Sequence, residues 1–595
     1  MRQQLAQLRE AMKKHGVQWV YVPTDDFHGS EYVGDYFKCR KFLTGFTGSA
    51  GTALVGMNWA GLWTDGRYFL QAGQQLADSG FELMKMGKPG VPRITEYLKD
   101  HLQAGETLAF DGRTVSASTW KQMDEICRQK EAKLECQLDL VGEIWNDRPA
   151  MSTEPVFELS ETYTGKSRAE KLAKTREKLL EAKADALVTT SLMDICWLLN
   201  IRGNDVACTP VVLSYLILTQ REACLFIHDQ VLSPEIRSHL TEDGVSLYPY
   251  EAIVEHVRRL PENSRVMMNL FNTNCAIYRS VPESVTVLDQ PEPTILLKAV
   301  KNPTEVANFR EAHVKDGVAV TRLMYWLKKN VGKIPMDELS VAEQLEEYRK
   351  EQPNYLGPSF DPIIAWGPHG AIIHYSATKE SNVPVEPRSF LLADTGGHYL
   401  EGTTDITRTF AVGPLTQEER EMYTRVLLGH LHLGAACFRY GCTGVNLDYL
   451  AHEPLWQINM DYNHGTGHGV GYVLAVHEGP QGFRWHATNL SKVPVLEPGM
   501  ITSDEPGVYL EGKFGIRLEN LTVVCDGVTN EYGRFLHLEY LTMVPFDLDA
   551  IVTEMLSPRD KELLNAYHQM VREKVGPGLK DPEERAWLEE ATRPI

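Results

Sequence analysis

The sequence lacks most of the features that assign a protein at sight. Its ten cysteines, in 595 residues, form no Cys-x-x-Cys pair and no tight cluster, which excludes a disulfide framework or a thiolate-bound zinc ribbon and leaves reduced thiols. Positive charge is in deficit: 60 Lys and Arg stand against 80 Asp and Glu, a formal net charge of −20. A nucleic-acid binder carries a basic footprint, and this balance is the reverse. Long apolar runs are missing as well. The most apolar stretch, Val211 to Thr219, is far short of the ~20 residues of a membrane helix. The opening Met1-Arg2-Gln3-Gln4-Leu5-Ala6-Gln7-Leu8-Arg9 is amphipathic and lacks the apolar core of a secretory signal. No low-complexity segment is present. Hydrophobic residues at 43% and charged residues at 24% are ordinary globular values, so neither disorder nor a membrane class is indicated. The expectation is a cytoplasmic protein with no nucleic-acid or membrane partner. At ~150 residues per domain the chain is long enough for several cores.

Four segments can be separated. Residues 1–150 alternate helical and strand patterns: Phe46 to Val55 reads as a Gly/Ser turn entering a strand, and Leu62 to Leu70 as a strand end, a turn and a helix start. Asn146 to Gly165, with Pro149 and Pro155, reads as a linker. Residues 160–300 repeat the same texture: Ser167 and Glu170 make a capping box ahead of a helix, Ala184 to Thr190 reads as a strand, and Ile195 to Ile201 as an apolar element. The likeness between the two segments is too weak to be called a sequence repeat. Residues 301–547 open on Asn302-Pro303-Thr304-Glu305, a cap, a Pro at the first helical position and a Glu at the third, before a long helix to about Lys329. Ser340 with Glu343 and Thr416 with Glu419 predict two further helix starts. The Gly-rich strand-turn-strand patterns around them predict an α+β layout, helices on one face of an antiparallel sheet. A tail, residues 548–595, carries helices near Asp560 to Val575 and Pro582 to Ala591.

The most informative residues lie between 390 and 520. Asp394 ends the apolar strand Phe390 to Gly397, and Asp405 stands in Gly402 to Phe410, a second strand with β-branched alternation. A turn through Gly396-Gly397 and the Gly402 region brings both carboxylates to one sheet face. Two unpaired carboxylates there repel and are costly to desolvate, and a cation between them resolves that cost. The device recurs downstream. Met500 to Gly507 ends a strand in Asp504-Glu505, and after the turn Gly512-Lys513-Phe514-Gly515 the strand Ile516 to Asn520 presents Glu519. Between the acidic pairs lies the Gly-rich strand His464-Gly465-Thr466-Gly467-His468-Gly469-Val470-Gly471, which lets the backbone run close to something. Any one Asp at a strand end reads as a turn former; two such hairpins with a histidine between them do not. Four carboxylates and one imidazole form a hard, oxygen-rich set suited to Mn²⁺, Co²⁺ or Fe²⁺. Two metals ~3.5–4 Å apart could share carboxylates and activate a water for hydrolysis.

These residues resemble the pita-bread metallopeptidases, the family of methionine aminopeptidase, prolidase and aminopeptidase P. Asp394, Asp405, His468, Glu505 and Glu519 match that family's five metal ligands one by one. The resemblance implies two divalent metals, Mn²⁺ first, with Co²⁺, Zn²⁺ or Fe²⁺ as alternatives. Asp405 and Glu519 would bridge them, Asp394 completing one site and His468 with Glu505 the other. Arg40 to Phe46, Gly48 to Gly51, Trp63 to Phe69, Trp197 to Asp205 and Gly370 to Tyr375 are similar to the long, three-domain cytosolic type of aminopeptidase P, so the resemblance spans nearly the whole chain. It implies two creatinase-like N-terminal domains before a pita-bread catalytic domain. It also implies a metal-dependent hydrolase that releases the N-terminal residue when proline is second, by attack of a metal-bridging hydroxide.

By the same resemblance, His374, His464 and His477 orient the substrate, stabilise the oxyanion or shuttle the proton that the proline nitrogen needs on leaving. His374, His468 and His477 are expected to touch substrate. Arg67 resembles an arginine that contacts substrate in the active site of the partner subunit, which implies a functional homodimer. Arg517, two residues before Glu519, points to the same strand face and is expected to hold an acidic ligand or a substrate carbonyl, a salt bridge within the sheet being the alternative. For the whole chain the alternatives are a prolidase-type Xaa-Pro dipeptidase and a non-catalytic binding protein on the same fold. The two leading domains favour the aminopeptidase, and the complete ligand set disfavours loss of catalysis.

Overall fold

Two six-stranded sheets, wound alike, make up the N-terminal part of the computed structural model, which describes residues 3–487, 490 and 493–595. The first contains β1 (Trp19–Pro23), β2 (Thr52–Gly56), β3 (Ala60–Thr64), β4 (Glu82–Lys85), β5 (Thr107–Ala109) and β6 (Lys133–Glu135), in the order β4-β3-β2-β1-β5-β6. The second contains β7 (Ala186–Thr189), β8 (Ser214–Thr219), β9 (Ala223–Ile227), β10 (Val245–Pro249), β11 (Arg265–Met268) and β12 (Thr286–Asp289), in the order β10-β9-β8-β7-β11-β12. The order is the same shifted by six. In each sheet neighbours within β3-β2-β1, or β9-β8-β7, are antiparallel and the remaining neighbouring pairs are parallel. The α/β texture shared by the two sequence segments is thus a structural duplication. Identity is not needed to keep it, because a core position asks only for an apolar side chain of suitable volume.

The chain forms two compact units, one of residues up to 159 with 166–295, the other of residues 160–165 with 296–595. The linker expected at 146–165 contains a short strand, Phe157–Glu158, and one helical turn, Glu161–Thr164, the latter belonging to the second unit. The amphipathic N-terminus forms a helix over Gln3–His15, with Met1 and Arg2 outside the described residues. No helix among the described residues is long and apolar enough to cross a membrane.

Helix starts follow the capping chemistry of the sequence. Ser167 and Glu170 form the box that opens α1 (Arg168–Glu181), Asn302 and Glu305 open α2 (Pro303–Asn330), and Thr416 and Glu419 open α4 (Gln417–Gly434). The start expected at Ser340 lies earlier. The helix α3 (Glu338–Lys350) is capped by Asp337, whose carboxylate accepts from the Ser340 N–H while the Ser340 hydroxyl accepts from the Asp337 N–H, both at 2.8 Å. Ser340 is therefore the third residue of the box, and a better acceptor, a carboxylate, takes the cap.

In the second unit a three-stranded antiparallel sheet joins β13 (Ile363–Trp366), β14 (Phe390–Thr395) and β15 (Ile406–Ala411). Beside it lies a six-stranded sheet of β16 (Cys437–Arg439), β17 (Gly467–Gly469), β18 (Glu478–Phe483), β19 (Ile501–Asp504), β22 (Asn520–Asn530) and β23 (Gly533–Tyr540), in the order β16-β23-β22-β19-β17-β18. A hairpin of β20 (Gly507–Leu510) and β21 (Phe514–Arg517) and a small antiparallel sheet of Tyr355–Pro358, Gly397–Tyr399 and Gly402–Thr403 complete the strands. Leu391 and Ala393 of β14 pack against Leu323 and Leu327 of α2 and Leu345 of α3, whereas Leu392 turns the other way, to Ile363, Ala365 and Tyr375. The period of two then carries Asp394 away from those helices. The tail helices α5 (Pro558–Val575) and α6 (Pro582–Ala591) close a second core, in which Leu564, Val571 and Leu588 meet Val426 and Leu427 of α4.

One buried cation ties the tail to the strands. Arg408 on β15 donates to the main-chain carbonyls of Thr407, Glu519, Val544 and Pro545, to the Asn520 side chain and to the Tyr567 hydroxyl of α5. Arg408→Ala leaves these acceptors buried and unsatisfied, so it is expected to destabilise the second unit by ~3 kcal/mol or more. Denaturant unfolding checks this, and a loss under ~1 kcal/mol contradicts it.

Candidate metal centre

The acidic residues converge because two sheets end at the same place. Asp394 on β14 lies opposite Thr407 on β15, and Asp405 precedes β15 by one residue. Asp504 on β19 lies opposite Asn520 on β22, which leaves Glu505 and Glu519 just beyond the paired ends. Alternation sends Asp504 to the other face, where its carboxylate lies 3.3 Å from the buried His430 ring. Glu519 does not sit inside a continuous strand as expected. The chain changes partners there, from β20 to β19, and the Glu519 N–H donates instead to the Thr407 carbonyl at 3.0 Å. The backbone of Glu519 is thereby fixed to the strand that follows Asp405.

The Gly-rich run is strand only at Gly467–Gly469, with His468 at its centre, so His464 and Gly471 lie outside it. Its glycines are required by close approach: a Cβ on Gly467 would lie 1.9 Å from the Ser503 carbonyl oxygen, and one on Gly469 2.1 Å from that of Glu478. The His468 ring is oriented by its Nδ1 contact with the Gly469 carbonyl at 3.0 Å. Its Nε2 faces Asp405 at 3.4 Å and Glu505 at 3.5 Å.

Donor atoms of Asp405, His468 and Glu519 all lie within 4.8 Å of one another, the only such group among the described residues. Glu505 adjoins it, accepting from the Ser503 hydroxyl at 3.2 Å. Asp394 stands at the edge, where Arg517 donates to it. The salt bridge, the alternative expected for Arg517, is present, and its partner is Asp394. Arg517 also donates to the Tyr509 hydroxyl at 2.7 Å and to Thr407 at 3.2 Å, and Thr407 donates to Glu519 at 2.7 Å. His464 joins this chain through Tyr509, at 2.9 Å. His477 packs edge-on against His468 with ring centres 4.3 Å apart. His374 is half-buried on the turn after the short helix Gly367–Ala371, and that helix presses on β21 so closely that a Cβ on Gly515 would overlap the Gly370 carbonyl. Arg67 belongs to the first unit, where Asp65 holds its guanidinium at 2.8 Å.

The charges of this group are unbalanced. Desolvation, then Asp405, Glu505 and Asp394, push the Glu519 carboxyl well above its ordinary range. Desolvation raises Asp394 against the pull of Arg517, and raises Glu505 to about 6 against the pull of His468. For His468 desolvation acts downward, but Asp405 and Glu505 outweigh it and lift the ring to about 9. Glu519 Oε1 is buried with no hydrogen-bond partner. A buried carboxylate oxygen left open toward an aspartate and an imidazole fits a divalent cation with oxygen and nitrogen ligands. Thr407, Ser503 and Tyr509 were not singled out by sequence, although the alternation Asp405-Thr407-Thr409 puts Thr407 on the face of Asp405.

Residues 4–136 and again 147–305 match the family model of the Creatinase/Prolidase N-terminal domain; residues 307–526 match metallopeptidase family M24 and 534–595 the C-terminal region of peptidase M24. The chain is 39% identical to a probable Xaa-Pro aminopeptidase P of Laccaria bicolor, over 100% of its own length and 93% of that protein's. The crystal structure of X-prolyl aminopeptidase from Caenorhabditis elegans, described as a cytosolic enzyme with a di-nuclear active site, is 34% identical, with a TM-score of 0.94 and coverage of 100% of this chain and 99% of that one. Xaa-Pro dipeptidase from Bacillus anthracis, 22% identical with a TM-score of 0.51 over 64% of this chain and 99% of its own, shares the fold. The architecture is thus two creatinase-like N-terminal domains followed by a pita-bread catalytic domain.

The shifted groups set a pH dependence. In the metal-free protein, the stability His468 supplies is complete below ~6.5, its ordinary value, and is lost as pH rises through about 9. That of Glu505 is complete below the ordinary glutamate range and is lost through about 6. The metal-free protein is therefore expected to lose stability from pH 5 to 9, while a metal that must displace these protons binds more tightly. Thermal midpoints with chelator and with Mn²⁺ check this: the gain from metal should grow with pH, and a pH-independent gain contradicts it.

Proposed function

The chain belongs to the aminopeptidase P family of M24 metallopeptidases, and from that premise we propose that it is an Xaa-Pro aminopeptidase, a hydrolase releasing the N-terminal residue from peptides with proline second. The observation that carries the proposal is the Asp405-His468-Glu519 group, its two carboxylates buried, flanked by Glu505 and Asp394. We assign these five residues to two divalent metals, Mn²⁺ before Co²⁺, Zn²⁺ or Fe²⁺. Bound there, the metals supply Lewis-acid polarisation of the scissile carbonyl and an activated water.

The chain's own residues do the rest. An Xaa-Pro bond is a tertiary amide, so its nitrogen must gain a proton to leave. His477, against His468, and His374, on the turn braced by Gly515, are assigned to substrate contact, proton delivery and oxyanion stabilisation. His464 is held through Tyr509 to Arg517, which in turn fixes the Asp394 carboxylate. For Arg67, and for the homodimer in which it would reach the active site of the partner subunit, the support is the resemblance of Trp63 to Phe69. The cytosolic Caenorhabditis elegans enzyme supports a cytoplasmic location.

A dipeptidase is the competing reading on the same fold. With Mn²⁺, the tripeptide Arg-Pro-Pro is expected to release arginine faster than the dipeptide Arg-Pro; cleavage of the dipeptide alone overturns the proposal. His374→Ala is expected to keep its metal and lose ~10²–10⁴-fold in kcat. Unchanged kinetics would remove His374 from the mechanism.

A further inference from the structure

Two buried charges of the second unit take no part in the site described so far. Asp316 on α2 is 3% exposed and Arg349 on α3 is 2% exposed. Arg349 grips Asp316 with a fork, Nε to Oδ1 at 2.7 Å and Nη2 to Oδ2 at 3.2 Å. Desolvating such a pair takes back much of what the attraction gains, and two apolar side chains of similar volume serve stability as well. The pair therefore calls for a role that apolar residues cannot fill.

Its remaining hydrogen bonds show one. Arg349 donates to the Thr395 hydroxyl and to the Gly396 carbonyl, both at 3.0 Å. Asp316 accepts from the Thr404 hydroxyl at 2.9 Å and from the Tyr399 hydroxyl at 3.0 Å. Thr395 follows Asp394 in the chain, and Thr404 precedes Asp405. The register of β14 and β15 does not by itself place the second aspartate, because their last rung pairs Thr395 with Ile406 and leaves Asp405 outside. Its position also depends on the excursion from Gly396 to Thr404, a short hairpin paired at His398–Thr403 and Tyr399–Gly402, and that hairpin is anchored at both ends by the two sides of one ion pair.

We propose that the Asp316–Arg349 pair is a positioning device that sets the separation of Asp394 and Asp405 and thereby the affinity of the centre for divalent metal. The inference rests on the metal-centre reading above. Partners that orient ligands in this way change metal affinity by ~10–100-fold when lost. Thr404→Val removes the hydroxyl that donates to Asp316, and with it the bond that hydroxyl accepts from the Gly397 N–H, while leaving the fork intact; Arg349→Lys removes the fork while keeping the charge.

The test is calorimetric titration of the full chain with Mn²⁺ at fixed pH, for wild type, Thr404→Val and Arg349→Lys, with thermal midpoints in chelator recorded in parallel. Both variants are expected to bind Mn²⁺ ~10–100-fold more weakly, each with a chelated midpoint lowered by the hydrogen bonds it removes. Wild-type affinity in the variants, whatever their midpoints, would overturn the positioning role while leaving the metal centre standing. Absence of Mn²⁺ binding by the wild type would instead overturn the metal-centre reading, and this inference with it.

Discussion

Four carboxylates drawn out of water around one imidazole cannot all stay charged without a cation, and the catalytic unit is organised around that constraint. Each sheet delivers two acids near its end: Asp394 lies on a paired rung, and Asp405, Glu505 and Glu519 lie just beyond the pairing. Glycines at 467 and 469 let the His468 strand run against Ser503 and Glu478, so the imidazole enters between them. Arg517 answers one carboxylate, Asp394. Thr407 and Ser503 each satisfy one oxygen, on Glu519 and Glu505. What stays unanswered, Glu519 Oε1 and the raised proton affinities around it, is the imprint a divalent metal would fill.

Further supports are themselves charged and buried, and apart from Asn520 and their own ion pair their hydrogen bonds run to main-chain atoms and hydroxyls beside the acids. Arg408 secures the carbonyls of Thr407 and Glu519, while Arg349 and Asp316 secure the residues next to Asp394 and Asp405. A guanidinium is suited to this because its fork holds several acceptors in one plane at fixed angles. The backbone beside the acids is thus held from behind, separately from the direct bonds of Arg517, Thr407 and Ser503 to their oxygens. The duplicated N-terminal sheets follow a plainer rule of apolar strands and capped helices, used twice.

Local chemistry was legible in the sequence and changes of partner were not. Capping boxes at Ser167, Asn302 and Thr416 span four residues, so their acceptors could be read directly; at Ser340 the better acceptor three residues upstream, Asp337, took the cap. The acids at 394, 405, 505 and 519 stood out because strand alternation and glycine turns constrain where they point. The break at Glu519 was hidden, since it arises where the chain leaves β20 for β19. Asp316 and Arg349 were hidden as well: they lie 33 residues apart, Asp316 reaches Thr404 across 88, and nothing in a helix pattern marks a charge for burial. The duplication of the two sheets was visible only as texture, because strand order is kept by burial and not by identity.

Anomalous diffraction from crystals grown with Mn²⁺ tests the central claim most directly, since it locates the cation without reference to turnover. The account predicts two anomalous peaks enclosed by Asp394, Asp405, His468, Glu505 and Glu519, with Glu519 Oε1 among the ligating atoms. No peak within this group, or peaks only at other residues, would contradict it.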